Sequence, residues 1–289
     1  MYKLAERDVF RWRRQVFWHS SYEKFKGISL FKTGVHSFQE SGLFYDFLVE
    51  NNNSNTTAFF FHAAIDRQGK KLPFFTGNNV LSGGTVNRVF ISDPSLLMSP
   101  TVRIAWFAGV SRGVRIQECM LSAISHLNAS LGSEKTLFMG PSNGGVAALY
   151  YSWFFPNSIA YVMNPQTRIQ DFTRSAVENF AIKCLGARDK AETDMVLHMK
   201  TTSDVRTLYA EKFDNHVVYV QNVTDHHVKQ QMEPFLKVAK KRVHLIMGNF
   251  GDGHKAPPVE HTATILSRIA LIKPYDISDD SIQSVLFSN

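Results

Sequence analysis

Short runs of residues that are apolar at almost every position recur along this chain, and longer amphipathic stretches separate them. The runs are 58–61, 88–92, 103–107, 136–139, 159–163, 217–221 and 243–247. A strand with one wet face alternates apolar and polar residues. A strand apolar throughout is covered on both faces, as in a parallel sheet. Between the runs, Ile116, Cys119, Met120, Ala123, Ile124 and Leu127 fall on one face of a helix. Residues 145–153, 235–240 and 262–272 also read as helical, and Pro234 must begin or kink the second of these. Strands alternating with helices predict a three-layer α/β domain around a mostly parallel sheet.

Three segments stand apart from this alternation. The polar run 51–55 separates two β-prone segments, 43–49 and 57–61, and reads as a hairpin loop. Residues 167–215 are more polar and helix-prone, and an insert this long predicts structure of its own, here a helical cap. The first forty residues form a basic aromatic segment, set before a main domain over 41–289. In it Lys3, Arg7, Arg11, Arg13, Arg14, Lys24, Lys26 and Lys32 interleave with Phe10, Trp12, Phe17 and Trp18. A helix packing its aromatics on the domain and solvating its arginines is expected there. Peripheral contact with a membrane surface, or a grip on an acidic polymer, is the alternative.

Composition narrows the classes further. The 289 residues are 44% hydrophobic and 20% charged, as in ordinary globular proteins. The charge sum, 32 − 25 = +7, favours an anionic partner. No nucleic-acid motif accompanies it. Cys119 and Cys184 form no CxxC pair, so neither a disulfide framework nor a cysteine metal site organises the fold. The N-terminus carries Arg11, Arg13 and Arg14 in its most apolar part and does not read as a secretory signal. No run approaches about 18 apolar residues, so no membrane span is expected. These features imply a cytoplasmic location, and no oligomeric state is implied.

Chemistry enters at Gly140-Pro141-Ser142-Asn143-Gly144, a G-x-S-x-G pattern between an apolar strand and a small-residue helix. A turn that swings directly from strand into helix presses its neighbours together, and glycines two residues either side of the serine avoid the clash. A serine hydroxyl needs a base to take its proton. Beyond the run 217–221 comes Asp225, and beyond 243–247 comes His254. The order Ser142, Asp225, His254, each member just past a strand, fits nucleophile, orienting acid and general base. Asp252, on the same loop as His254, is the rival acid. His226 and His227 beside Asp225 invite a metal reading, but no distant third ligand appears and helix packing is the expected role. An oxyanion needs two backbone N–H donors. Asn143, after the serine, offers one, and Ala63, in the His62-Ala63-Ala64 turn after run 58–61, offers the other.

At these residues the chain, from about residue 57 onward, resembles the α/β-hydrolases. The doubled glycine of Gly-Pro-Ser-Asn-Gly-Gly, with Met163-Asn164-Pro165-Gln166 after the next strand, is similar to bacterial surface-glycan O-acetyltransferases. Capsule acetyltransferases and the acetyltransferase of the accessory Sec glycoprotein system are among these. The resemblance implies the three-layer α/β-hydrolase fold. It also implies acyl transfer through an acyl-serine, with acetyl-CoA as donor and a sugar hydroxyl as acceptor, and no resident cofactor or metal. The chain departs from typical esterases in reading His62-Ala63-Ala64 where they have His-Gly-Gly-Gly, which bears on the oxyanion donor. The long loop 65–102 is expected only to line the pocket. A carboxylic-ester hydrolase and an O-acetyltransferase acting on an anionic cell-surface glycan share this machinery. A non-catalytic hydrolase-fold protein that binds an anionic polymer or a membrane surface is the contrasting expectation.

Overall fold

A computed structural model describes residues 4–111 and 113–287. Its strands are β1 (Val16–His19), β2 (Gly34–Glu40), β3 (Leu43–Glu50), β4 (Thr56–Phe61), β5 (Asn87–Ile91), β6 (Val110–Ser111), β7 (Val114–Arg115), β8 (Lys135–Pro141), β9 (Ile159–Met163), β10 (His216–Asn222) and β11 (Val243–Gly248). Its helices are α1 (Tyr22–Lys26), α2 (Ile116–Ser130), α3 (Asn143–Trp153), α4 (Arg174–Phe180), α5 (Thr193–Lys200), α6 (Arg206–Tyr209), α7 (Glu233–Val238), α8 (Val259–Leu271) and α9 (Asp279–Phe287). Among the described residues nine strands form one sheet in the order β1-β2-β3-β5-β4-β8-β9-β10-β11, and β6 and β7 form a separate small ribbon. Within the sheet only β3 runs against its neighbours. No helix of the described residues is long and apolar enough to cross a membrane.

The strand period of two splits the core into layers. Phe59, Phe61, Phe138, Val162 and Tyr219 face the side covered by α2, α3 and α7. Ala58, Phe60, Leu137, Tyr161 and Val218 face the side covered by Ile265, Leu266 and Ile269 of α8 and Ile282 of α9. Each such phenylalanine, fully buried, contributes about 2 kcal/mol. Because the strands from β4 to β11 within the sheet are parallel, their C-terminal ends open onto one edge, where loops can converge.

Three expectations need revision. Residues 51–55 do not close a hairpin, because β5 lies between β3 and β4 and pairs with both. A local turn signal could not reveal a strand arriving from thirty residues later. The run 103–107 is buried from Ile104 onward but is not a strand. It ends in a left-handed turn at Trp106 (φ 52°) and Phe107 (φ 56°) whose backbone N–H at Phe107 goes to the Asp93 carboxylate at 2.7 Å. The N-terminal segment is not one helix but a 3-10 turn (Phe10–Trp12), β1, the short α1 and β2. Tertiary pairing with β2 overrides its local preference. Its charges are partly consumed internally: Arg7 pairs with Asp46 and lies 4.1 Å over the Phe44 ring, while Phe10 and Trp18 stay exposed. The insert 167–215 is helical, carrying α4, α5 and α6. Val177, Phe180, Leu197 and Tyr209 are buried in the same core as the strands.

Candidate active site

The elbow is built from steric necessity. Ser142 joins β8 directly to α3 with φ 54° and ψ −119°, a conformation costly for any residue with a Cβ. A Cβ on Gly140 would lie 2.1 Å from the Gly144 carbonyl oxygen, and one on Gly144 would lie 2.6 Å from that of Phe61. Neither clash can be relieved by a side-chain movement. The same closeness brings the end of β4, and hence the His62–Ala63 turn, against the first turn of α3. Asn143 is the first residue of that helix, where a backbone N–H has no intrahelical acceptor. Its carboxamide is buried, with neither Nδ2 nor Oδ1 paired to a protein group.

Two loops, after β10 and after β11, complete the site. His254 Nε2 lies 2.9 Å from Ser142 Oγ. His254 Nδ1 lies 2.6 Å from Asp225 Oδ2. Asp252, the rival acid, is exposed to solvent. The Asp225 carboxylate is buried and also accepts the His227 backbone N–H at 2.9 Å. Burial would push its carboxyl upward, but the hydrogen bonds from His254 and His227 reverse that and hold it below the usual range.

The sequence reading did not anticipate what surrounds these three side chains. Gln166 is fully buried, and its Nε2 donates to Ser142 Oγ at 2.9 Å. Its Oε1 accepts the Trp106 indole N–H at 2.5 Å. An indole nitrogen can only donate, so the carboxamide oxygen must face Trp106 and the amide must face the serine. The His227 ring is also buried, with Nδ1 3.1 Å from His254 Nδ1. Since the His254 nitrogen carries the proton given to Asp225, His227 turns a lone pair toward it and holds its own proton on Nε2. Burial, reinforced by the neighbouring His254, pushes protonation of His227 down to about 4. Asp225, His226 and His227 could gather ligand atoms round an ion. However, Asp225 and His227 already face His254 in the arrangement described.

The loop carrying His254 is tied by side chains. Asn222 Nδ2 donates to the carbonyls of Gly251 and Gly253, each at 2.7 Å, and Asn222 Oδ1 accepts the Phe250 N–H at 2.9 Å. Asn164, at φ 44°, accepts the Asn222 N–H at 2.7 Å and donates to the Lys255 carbonyl at 2.7 Å. Asn222 reads as a glycosylation sequon, but the fold buries it completely. On the other side, His62 Nε2 accepts the Asp93 N–H at 3.1 Å, so its Nδ1–H donates to the Ala63 carbonyl at 2.8 Å. That bond fixes the turn at Ala63. Burial drives His62 protonation down to about 4 and raises the Asp93 carboxyl to about 6, partly countered by donors from Phe107 and Ser95. A buried polar group needs a partner. That rule is the available signal for Trp106 and Asn222, although it names no partner in advance, while Gln166 also lies in the Met163–Gln166 stretch that carries the resemblance.

No protein-family model matches the sequence, and no curated protein matches it. Solved structures do. The capsule O-acetyltransferase of Neisseria meningitidis serogroup A superposes with a TM-score of 0.60 at 16% identity, over 83% of this chain and 96% of that one. A variant of that enzyme in complex with CoA superposes with a TM-score of 0.59 at 15% identity, over 82% and 95%. An S-formylglutathione hydrolase from Agrobacterium tumefaciens gives a TM-score of 0.52 at 12% identity, over 85% and 95%. With a sheet of this order, a strained serine between strand and helix, and these structural relatives, the chain has the α/β-hydrolase fold and resembles the capsule O-acetyltransferases within it.

Proposed function

We propose that this chain is a serine acyl-transfer enzyme, working through an acyl-enzyme as a carboxylic-ester hydrolase or, in the reading favoured here, as an O-acetyltransferase on an anionic glycan. The observation that carries this is the unbroken hydrogen-bond chain from Ser142 Oγ through His254 to the buried Asp225. In the reaction Ser142 Oγ attacks the acyl carbonyl while His254 Nε2 takes its proton and later gives it to the leaving group. Asp225 keeps the other ring nitrogen protonated and stabilises the imidazolium. The backbone N–H groups of Asn143 and Ala63 receive the oxyanion, each typically contributing about 3–4 kcal/mol to the transition state.

The acyl-serine is then resolved by water or by a sugar hydroxyl, with His254 acting as base for the acceptor. The structural likeness to a capsule O-acetyltransferase, and to its variant holding CoA, supports acetyl-CoA as the donor substrate. The net charge of +7 supports an anionic donor and acceptor. A fluorophosphonate should label the purified protein, and Ser142→Ala should be silent. Incubation with acetyl-CoA and anionic glycans, followed by measurement of free acetate against glycan-bound acetyl, separates hydrolase from transferase. Labelling that survives in the alanine variant would remove Ser142 from the reaction.

A further inference from the structure

The triad leaves one buried contact on the reacting atom unexplained, the amide of Gln166 against Ser142 Oγ. We propose that Gln166 is a catalytic residue that stabilises the negative charge developing on Ser142 Oγ, and that Trp106 is the positioning residue that aims it. This assignment rests on the acyl-serine reading above.

Proton direction supports it first. Ser142 Oγ accepts from Gln166 Nε2, so its own hydrogen is free to point at His254 Nε2. A hydroxyl in place of the amide could accept the serine proton and divert it. A carboxamide locked amide-first by an indole N–H cannot. Charge supports it second. During attack Oγ turns from hydroxyl toward alkoxide, and a hydrogen bond to a charged oxygen is roughly twice as strong as one to a neutral oxygen. Only interactions that strengthen in the transition state accelerate the step. Burial supports it third. Gln166 is 0% exposed and Trp106 is 1% exposed, so the donor acts with little solvent screening and is already in place before reaction. Trp106 packs edge-on against the rings of Phe172 and Phe180, at 5.8 and 5.3 Å, and both come from the insert between β9 and β10, so the insert buttresses this arrangement.

The cycle balances without any proton moving on Gln166. In acylation the Oγ–acyl bond forms and the acyl–leaving-group bond breaks, while the Oγ proton passes to His254 Nε2 and then to the departing group. In deacylation the acceptor's O–H proton passes to His254 Nε2 as its oxygen bonds the acyl carbon, the Oγ–acyl bond breaks, and His254 gives that proton to Oγ. Gln166 meets a charged Oγ in both halves, once as nucleophile and once as leaving group.

The test compares Gln166→Met, which keeps the bulk without a donor, with Gln166→Glu and Trp106→Phe. The readouts are the rate constant for fluorophosphonate labelling, hydrolysis of p-nitrophenyl acetate and the Tm. Gln166→Met should lose about 10- to 100-fold in both rates while its Tm stays close to that of the wild type. Gln166→Glu should be slower still near neutral pH and should recover as the pH is lowered, because a protonated carboxyl regains an O–H donor. Trp106→Phe should lose less, about 10-fold or under, since the donor remains but is no longer aimed. Gln166→Met within about threefold of wild type, with Ser142→Ala silent, overturns the role of Gln166 alone. Labelling of Ser142→Ala overturns the functional reading and this assignment with it. Should Gln166→Met fail to fold, the pH profile of Gln166→Glu decides: acid recovery upholds the donor role, and a profile parallel to wild type overturns it.

Discussion

Ser142 and His254 meet at 2.9 Å, yet the segments that carry them are held in unlike ways. The elbow around Ser142 is held by exclusion. Gly140, Gly144 and the end of β4 approach so closely that no other backbone path is open. The loop around His254 is held by attraction, through the Asn222 and Asn164 side chains that reach it from the ends of β10 and β9. Exclusion tolerates no added atom and is short in sequence. Attraction depends on partners far apart in sequence, and each bond contributes only about 1 kcal/mol net. A site can therefore combine a rigid nucleophile with a base whose position is adjustable in small steps.

The largest expected effect comes from breaking the exclusion. Gly144→Ala drives a methyl into the carbonyls of Phe61 and His62, at 2.6 and 2.8 Å, and should abolish fluorophosphonate labelling while lowering the Tm markedly. A labelled, stable alanine variant would mean that the elbow has slack and that the contrast is overdrawn. Next comes Asn222→Asp, which is isosteric but turns a donor facing two carbonyl oxygens into an acceptor. A cost of about 3 kcal/mol in stability, from a buried group left unpaired, should accompany slower labelling. Full labelling at unchanged Tm would show that the loop is positioned by something other than Asn222.

The smallest effect asks whether the two regions fail together. Buried His62 beneath the Ala63 turn and buried His227 beside His254 both titrate near 4, against 6.5 for the free side chain, chiefly through burial. His36 and His216 are lowered to about 4 for the same first reason. A depressed folded value means that the unfolded chain binds more protons between about 4 and 6.5. Stability is then whole above 6.5 and falls as the pH drops toward 4. Asp93, raised to about 6, works in the opposite direction over the same range, because its ionisation is disfavoured in the fold. With four histidines against one carboxyl, the Tm should fall by several degrees between pH 7 and 5, at about 2–4 °C per kcal/mol for a chain of this size. A Tm that rises on acidification would overturn this balance. Loss of His254 loop protection well before the elbow, seen by hydrogen exchange, would show that the attractive half is the weaker one.

Much of the architecture was legible because it rests on local patterns. The apolar runs at 136–139, 159–163 and 217–221 lie within β8, β9 and β10, since a strand covered on both faces has no freedom to be polar. The face marked by Ile116, Met120, Ala123 and Leu127 is the buried face of α2. The run at 103–107 misled for an equally physical reason. Ile104 to Phe107 are apolar because they are buried, and burial alone does not distinguish a strand from an irregular segment, here one whose Phe107 N–H is taken by the Asp93 carboxylate. The first forty residues misled in the opposite way, because β1 acquires its strand partner only when β2 is beside it.

The order of Ser142, Asp225 and His254, and the glycines that let the first of them exist, could be read directly from the letters. Sterics at an elbow and the period of a covered strand act over a few residues and leave a pattern there. The amide that Gln166 turns toward the serine, the His227 ring behind His254 and the knot tied by Asn222 could not be read that way. Each is a buried polar group finding a partner across the molecule. Hydrogen bonding demands that a partner exist, but the packed sheet and its converging loops settle which one it is.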